Sequence, residues 1–130
     1  MEADKRFDIK LHPNAIKEYK KLDNSVRAIV NNVIDELELR ADEVGKILGN
    51  TNTSQLAGCK EIKLRDAGVR IVFKLTNEIV HVLRVVYIIT INERDRNKVF
   101  KIADERLEEI RHLSPEKKRF HYVTLKNLRR

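Results

Sequence analysis

One cysteine, two prolines and four glycines in 130 residues are the scarcest features of this sequence, and each shortage closes a class of protein. A single thiol, Cys59, forms no internal disulfide and supplies no cysteine zinc cluster, since either needs further thiolates. His12, His81, His112 and His121 lack metal-ligand spacing, so neither metal nor cofactor is expected. With so few breakers, and with 42% hydrophobic and 36% charged residues, the chain has enough to bury for a folded core and is no linker. The longest apolar run, Val85 to Ile89, is far short of the roughly 20 residues of a membrane span, so no membrane partner is expected. Met1-Glu2-Ala3-Asp4-Lys5-Arg6 has no apolar segment behind it, so no signal peptide is read and the cytoplasm is the expected location.

What the chain does have is positive charge, unevenly placed. The formal net charge is +7, from 27 Lys and Arg against 20 Asp and Glu, which points to a polyanionic partner. Residues 1–58 hold 9 basic and 10 acidic side chains, whereas residues 59–130 hold 18 and 10. Residues 117–130 alone carry six basic residues and no acid, so the remaining 116 residues are almost neutral. The length suits one domain of about 100 to 150 residues, expected over 1–116, followed by a basic tail over 117–130. In that arrangement the tail adds salt-sensitive phosphate attraction, and the placement of the other cations carries the specificity.

Periodicity gives the element order. Phe7, Ile9 and Leu11 alternate with polar residues as in a half-buried strand, and Pro13 ends it and suits the first position of a helix carrying Ala15, Ile16, Tyr19 and Leu22. Ser25 is the expected cap of a longer helix whose apolar stripe runs through Val26, Ile29, Val30, Val33, Ile34 and Leu37. Residues 41–57 read as a helical turn and a loop. From Cys59 the pattern is β: Ile62 and Leu64 alternate with charged residues, Asp66-Ala67-Gly68 turns the chain, and Ile71, Phe73 and Leu75 follow. A second turn is expected at Thr76-Asn77-Glu78, then one central strand over Ile79 to Ile91 with His81 and Arg84 as polar exceptions. Val99, Phe100, Ala103, Leu107 and Ile110 form the stripe of a last helix that starts near Asp95 and stops before Ser114-Pro115. The expected fold is α+β, in the order β-α-α-β-β-β-α.

Strand alternation also says where the cations point. If Ile62, Leu64, Ile71, Phe73 and Leu75 face the core, then Glu61, Lys63, Arg65, Arg70 and Lys74 share the opposite face, with Arg94 and Arg96 at the edge where the long strand meets the last helix. Guanidinium groups grip phosphate oxygens bidentately and lysine adds a mobile charge. If a ribose 2′-hydroxyl attacked its neighbouring phosphate, the same cations would stabilise the pentacoordinate transition state, and a lysine crowded by arginines is a candidate for proton transfer. Alternating charges equally describe a solvated outer face, so both readings stand at this point. His81 reads as a core histidine, Cys59 as structural and Tyr87 as core.

The run Leu56-Ala57-Gly58-Cys59-Lys60-Glu61-Ile62-Lys63-Leu64-Arg65-Asp66-Ala67-Gly68-Val69-Arg70-Ile71-Val72-Phe73 resembles the central hairpin of the RelE/ParE toxins of bacterial type II toxin-antitoxin systems. Arg94-Asp95-Arg96-Asn97-Lys98-Val99-Phe100, followed by Ala103 and Arg106, is similar to their closing segment, and Lys20-Lys21-Leu22 fits the end of their first helix. The likeness covers roughly residues 6–113. It implies a twisted antiparallel sheet backed by two N-terminal helices, and cleavage of mRNA in the ribosomal A site without a metal, the 2′-hydroxyl acting as nucleophile. Lys63, Arg70 and Arg94 match basic residues that position RNA and stabilise the transition state, and Arg65 matches a neighbouring basic position; Lys74 and Arg96 are further expected RNA contacts. Two positions depart from the pattern: Glu61 stands where a second lysine is found, either as a general base or paired with Lys63, and Phe100 stands in place of a tyrosine. His121-Tyr122 resembles a terminal catalytic His-Tyr pair of some relatives, or else belongs to a tail packed on the sheet. The implied partners are mRNA on the ribosome and an acidic cognate antitoxin that wraps the basic face or displaces the last helix. Poisoning of DNA gyrase by binding, and a degenerate member that only binds, are the alternatives.

Overall fold

The computed structural model describes residues 6–50, 55–80, 83–93, 96–111, 117 and 123–124. Strand β1 (Phe7–Leu11) leads into α1 (Pro13–Lys21) and α2 (Asn24–Arg40); then come β2 (Lys46–Ile47), β3 (Cys59–Leu64), β4 (Val69–Val80), β5 (Leu83–Glu93), α3 (Arg96–Ile110) and β6 (Val123–Thr124). The sheet order is β2-β3-β4-β5-β1-β6. From β2 to β5 it is antiparallel, as expected, while β1 joins β5 in parallel, with Phe7 beside Arg84 and Leu11 beside Ile88. A parallel partner needs a long crossover, and the α1-α2 hairpin with β2 to β4 supplies it.

Helix ends are fixed by particular side chains. Pro13 opens α1, and His12 Nδ1 caps it by accepting the Asn14 amide at 3.1 Å. The cap of α2 is Asp23 rather than Ser25: Asp23 Oδ1 accepts the Val26 amide at 3.0 Å, and the Ser25 hydroxyl donates to the same oxygen at 2.6 Å. The aspartate takes the role because it is the extended residue at the boundary, at ψ 165, whereas Ser25 already lies within the helix. These bonds, Ser25 foremost, hold the Asp23 carboxyl below its ordinary pKa.

Three cations are engaged at helix C-termini, where the macrodipole and free carbonyls favour them. Lys60 Nζ donates to the carbonyls of Ala41, Asp42 and Val44 just beyond α2, and Arg6 bonds Leu39 O and the Asp42 carboxylate. Arg27 donates to Lys20 O and Leu22 O at the end of α1.

Both faces of the sheet are covered. On one, Ile71 and Phe73 of β4 and Phe7, Ile9 and Leu11 of β1 pack against Ala15, Ile16 and Tyr19 of α1 and Val30, Ile34 and Leu37 of α2. On the other, Cys59 and Val72 meet Val99, Phe100, Ala103 and Leu107 of α3, with Leu48 and Leu56 from the connecting segment. The face expected to be solvated is thus covered by α3 at its Cys59-Val72 part, because the apolar stripe of that helix finds its partner there. Arg106 clamps Glu18 of α1 through two bonds of 2.7 and 3.1 Å, and Glu109 meets His12 Nε2 at 3.3 Å. At the other flank Asp104 accepts the Gln55 amide and Arg111 donates to the Gln55 carbonyl.

Two turns came out differently from each other. The chain reverses at Arg65–Ala67, a single 3-10 turn closed by Gly68 at φ +68, as its sequence requires. Thr76-Asn77-Glu78 is strand instead of turn: Leu75 pairs with Val86 and Ile79 with Arg84, so four steps on β4 match two on β5 and a bulge absorbs the excess. Ile79 and Val80 therefore close β4, and the next strand, β5, begins at Leu83 and lies between β4 and β1. His81 lies outside the described residues.

Candidate nucleic-acid interface

The β3-β4 hairpin places Lys63 directly across from Arg70, and Glu61 across from Val72. These three ionisable side chains form one cluster. Glu61 Oε2 is 3.2 Å from Arg70 Nη1, and Glu61 Oε1 is 4.0 Å from Lys63 Nζ. The Glu61 side chain is fully enclosed, whereas Lys63 is 32% and Arg70 18% exposed. Oε1 accepts no hydrogen bond among the described residues. A buried carboxylate is costly unless paired, and here the two cations beside it supply the compensation.

Glu61 is thus no member of an open charged face. It is more deeply buried than the two cations beside it, of which Lys63 is the more exposed. Next to them, a pocket of about 270 Å³ is lined by Lys63, Leu64, Arg65, Gly68, Val69 and Arg70. Three cations around one small pocket at a tight turn suit a phosphate.

The other expected contacts divide. Arg65 is exposed at the start of the hairpin turn and lines this pocket. Lys74 does not: it pairs with Cys59, four residues along β4 from Arg70 and so about 13 Å away. Arg94 lies outside the described residues; it follows Glu93, the partner of Val69, and Arg96 opens α3. His121 and Tyr122 also lie outside them; β6, next in sequence, is separated from the hairpin by β5 and β1. Phe100 is buried in the α3 core with Val72 and Cys59. Burial pushes the Cys59 thiol up to about 11, leaving it unreactive at neutral pH.

The sequence missed a second concavity. A cleft of about 620 Å³ runs between α2 and β3 and shares Lys63 and Arg65 with the smaller pocket. Nothing in the periodicity signals it, since Val33 and Ile62 read only as core residues.

An α+β domain whose central hairpin gathers Lys63, Arg65 and Arg70 around a phosphate-sized pocket, with a helix strapped over the rest of that face, has the layout of a small toxin of the RelE/ParE type. More narrowly, the chain belongs to the RelE family. It is 32% identical over 94 residues to the mRNA interferase toxin RelE of Escherichia coli K12, a match that covers 72% of this chain and 88% of that one. A mutant of E. coli RelE in the free state shares the fold at a TM-score of 0.57, with 24% identity, covering 83% of this chain and 99% of the other. RelE in the intact E. coli RelBE toxin-antitoxin complex aligns at a TM-score of 0.50 and 29% identity, over 72% of this chain and all of that one. No family model matches.

Proposed function

We propose that this protein is the toxin of a type II toxin-antitoxin pair, an endoribonuclease that inhibits translation by cleaving mRNA on the ribosome and is held inactive by a cognate antitoxin. The observation that carries this reading is the Lys63-Arg65-Arg70 pocket on the hairpin of a RelE-family chain. The site of action, the ribosome, puts the protein in the cytoplasm; no helix among the described residues is long and apolar enough to cross a membrane.

In the proposed reaction the 2′-hydroxyl of one ribose gives up its proton as its oxygen bonds to the adjacent phosphorus, the bond from that phosphorus to the 5′-oxygen of the next nucleotide breaks, that oxygen takes up a proton to leave as a hydroxyl, and a 2′,3′-cyclic phosphate results. Negative charge grows on the non-bridging oxygens as the fifth bond forms. Arg70, with Lys63 across from it, faces that charge, and Arg65 at the turn grips a neighbouring phosphate. Arg94 completes the set on the strength of the family pattern. Glu61 is a positioning residue: enclosed and bonded to Arg70, it fixes the guanidinium and has no open path to a 2′-hydroxyl.

Primer extension on translated messages after expression tests this. Codon-positioned 5′ ends are expected with the native chain, and Arg70→Ala or Arg94→Ala should reduce them by about 10² to 10³. Intact messages together with cleaved DNA would replace the reading with gyrase poisoning.

A further inference from the structure

We propose that the cleft between α2 and the outer edge of β3 receives an extended acidic segment of the antitoxin, which pairs its backbone with Lys63 and so adds a strand to the sheet. The inference rests on the toxin-antitoxin reading above and goes beyond it by assigning a surface.

The outer edge of β3 is only partly covered. β2 pairs with Lys60 and Glu61 alone, and on that edge the Cys59 carbonyl accepts the Leu48 amide at 3.0 Å. Backbone groups of a strand alternate from one edge to the other, so Lys63 turns its N–H and C=O the same way as Cys59. Among the described residues nothing pairs with them. Gly45 is the reason β2 goes no further: at φ +88 it bends the chain off the strand line, and a Cβ there would stand 3.1 Å from the Phe73 ring and 3.2 Å from the Glu61 carbonyl.

The chemistry of the cleft selects the occupant. Its floor is aliphatic, formed by Val33, Val44 and Ile62, which suits aliphatic side chains two residues apart on an added strand. Its rim carries Lys46, Lys63 and Arg65; Arg40 is engaged by Glu36, and Lys63 lies 4.0 Å from Glu61, the other acid of the lining, so two acids stand against four cations. That balance is cationic and calls for an acidic segment. Single-stranded RNA is the weaker fit, because the lining offers no aromatic ring for a base to stack on and RNA has no use for an open strand edge.

The test uses the full chain, carrying Arg70→Ala to blunt its toxicity, co-expressed with the protein of the adjoining reading frame. Amide exchange at Lys63 should slow at least tenfold in the complex. Lys46→Glu should weaken the complex about tenfold or more, while the unfolding midpoint and the mRNA cleavage of the otherwise native free chain stay unchanged. A complex in which the Lys63 amide exchanges as in the free chain overturns the docking and leaves the toxin reading intact. Failure of any complex to form overturns the docking together with the partnership. Slowing of Lys63 exchange by an oligoribonucleotide but not by the antitoxin partner overturns it in favour of RNA.

Discussion

Glu61 separates two roles for a carboxylate in a phosphate-binding site. A general base must reach the proton it removes, whereas a positioning group needs only to hold its neighbour; we propose the second role for Glu61, which is fully enclosed and meets Arg70 at 3.2 Å. Glu61→Gln keeps the shape and removes the carboxylate charge, which weakens its pairing with Arg70. We expect a loss of about 1–3 kcal/mol in urea unfolding and a fall in cleavage of about tenfold. The acidic limb of the pH-rate profile should survive in the variant; its disappearance would show a base. Cys59 gives a second prediction, this one on alkaline stability. Its folded pKa, about 11, lies above the unfolded value, so from about pH 9 to 11 the unfolded chain releases a proton that the folded chain retains. Stability contributed by the neutral thiol is complete below that window and lost through it, by about 2–3 kcal/mol. Cys59→Ala should flatten this part of the stability-pH curve relative to the native chain.

Among the elements, α3 is the one whose docking decides how much of the basic face stays open. Its apolar stripe meets Val72 and Cys59, and Arg106 clamps Glu18 of α1 at 11% and 18% side-chain exposure. A double-mutant cycle on Arg106→Ala and Glu18→Ala should give a coupling energy of about 1–3 kcal/mol, read from unfolding; a coupling near zero would mean that packing alone holds the helix. The stripe of α3 was legible in its sequence, as were α1, the stripe of α2 except Ile29, which stays exposed, and the β3-β4 hairpin, because each obeys a local period or a glycine turn. What α3 covers was not legible, since Cys59 and Val72, which it covers, share a face with Lys63 and Arg70 and alternation alone does not tell the covered part of that face from the open part. Thr76-Asn77-Glu78 was misread for a related reason: turn-forming residues also fit a bulge, and the pairing of Leu75 and Ile79 with β5 decides between them. Lys63, Arg65 and Arg70 were legible as one group because a tight hairpin gathers them within a few residues of its turn, while Lys74, on the same face, ended beside Cys59.

For the whole molecule the question is what the net charge does. Arg6, Arg27, Lys60 and Arg106 are committed to carbonyls or carboxylates, and the body is close to neutral, so the excess resides in the six basic residues of 117–130, the segment we propose as a basic tail. Deleting that segment would confuse two effects, because Val123 and Thr124 pair with Leu11 and Lys10 and their loss leaves an open edge on β1. Replacing Lys117, Lys118, Arg119, Lys126, Arg129 and Arg130 by glutamine keeps the length and removes only charge. Each phosphate contact on a single strand contributes about 0.7 to the slope of log affinity against log salt, so the substituted chain should lose up to about 4 units of slope in oligoribonucleotide binding. Cleavage at saturating ribosomes should persist, since Lys63, Arg65 and Arg70 are untouched. An unchanged slope would place the phosphate contacts on the body instead, and loss of cleavage with the slope reduced would make the tail part of the site.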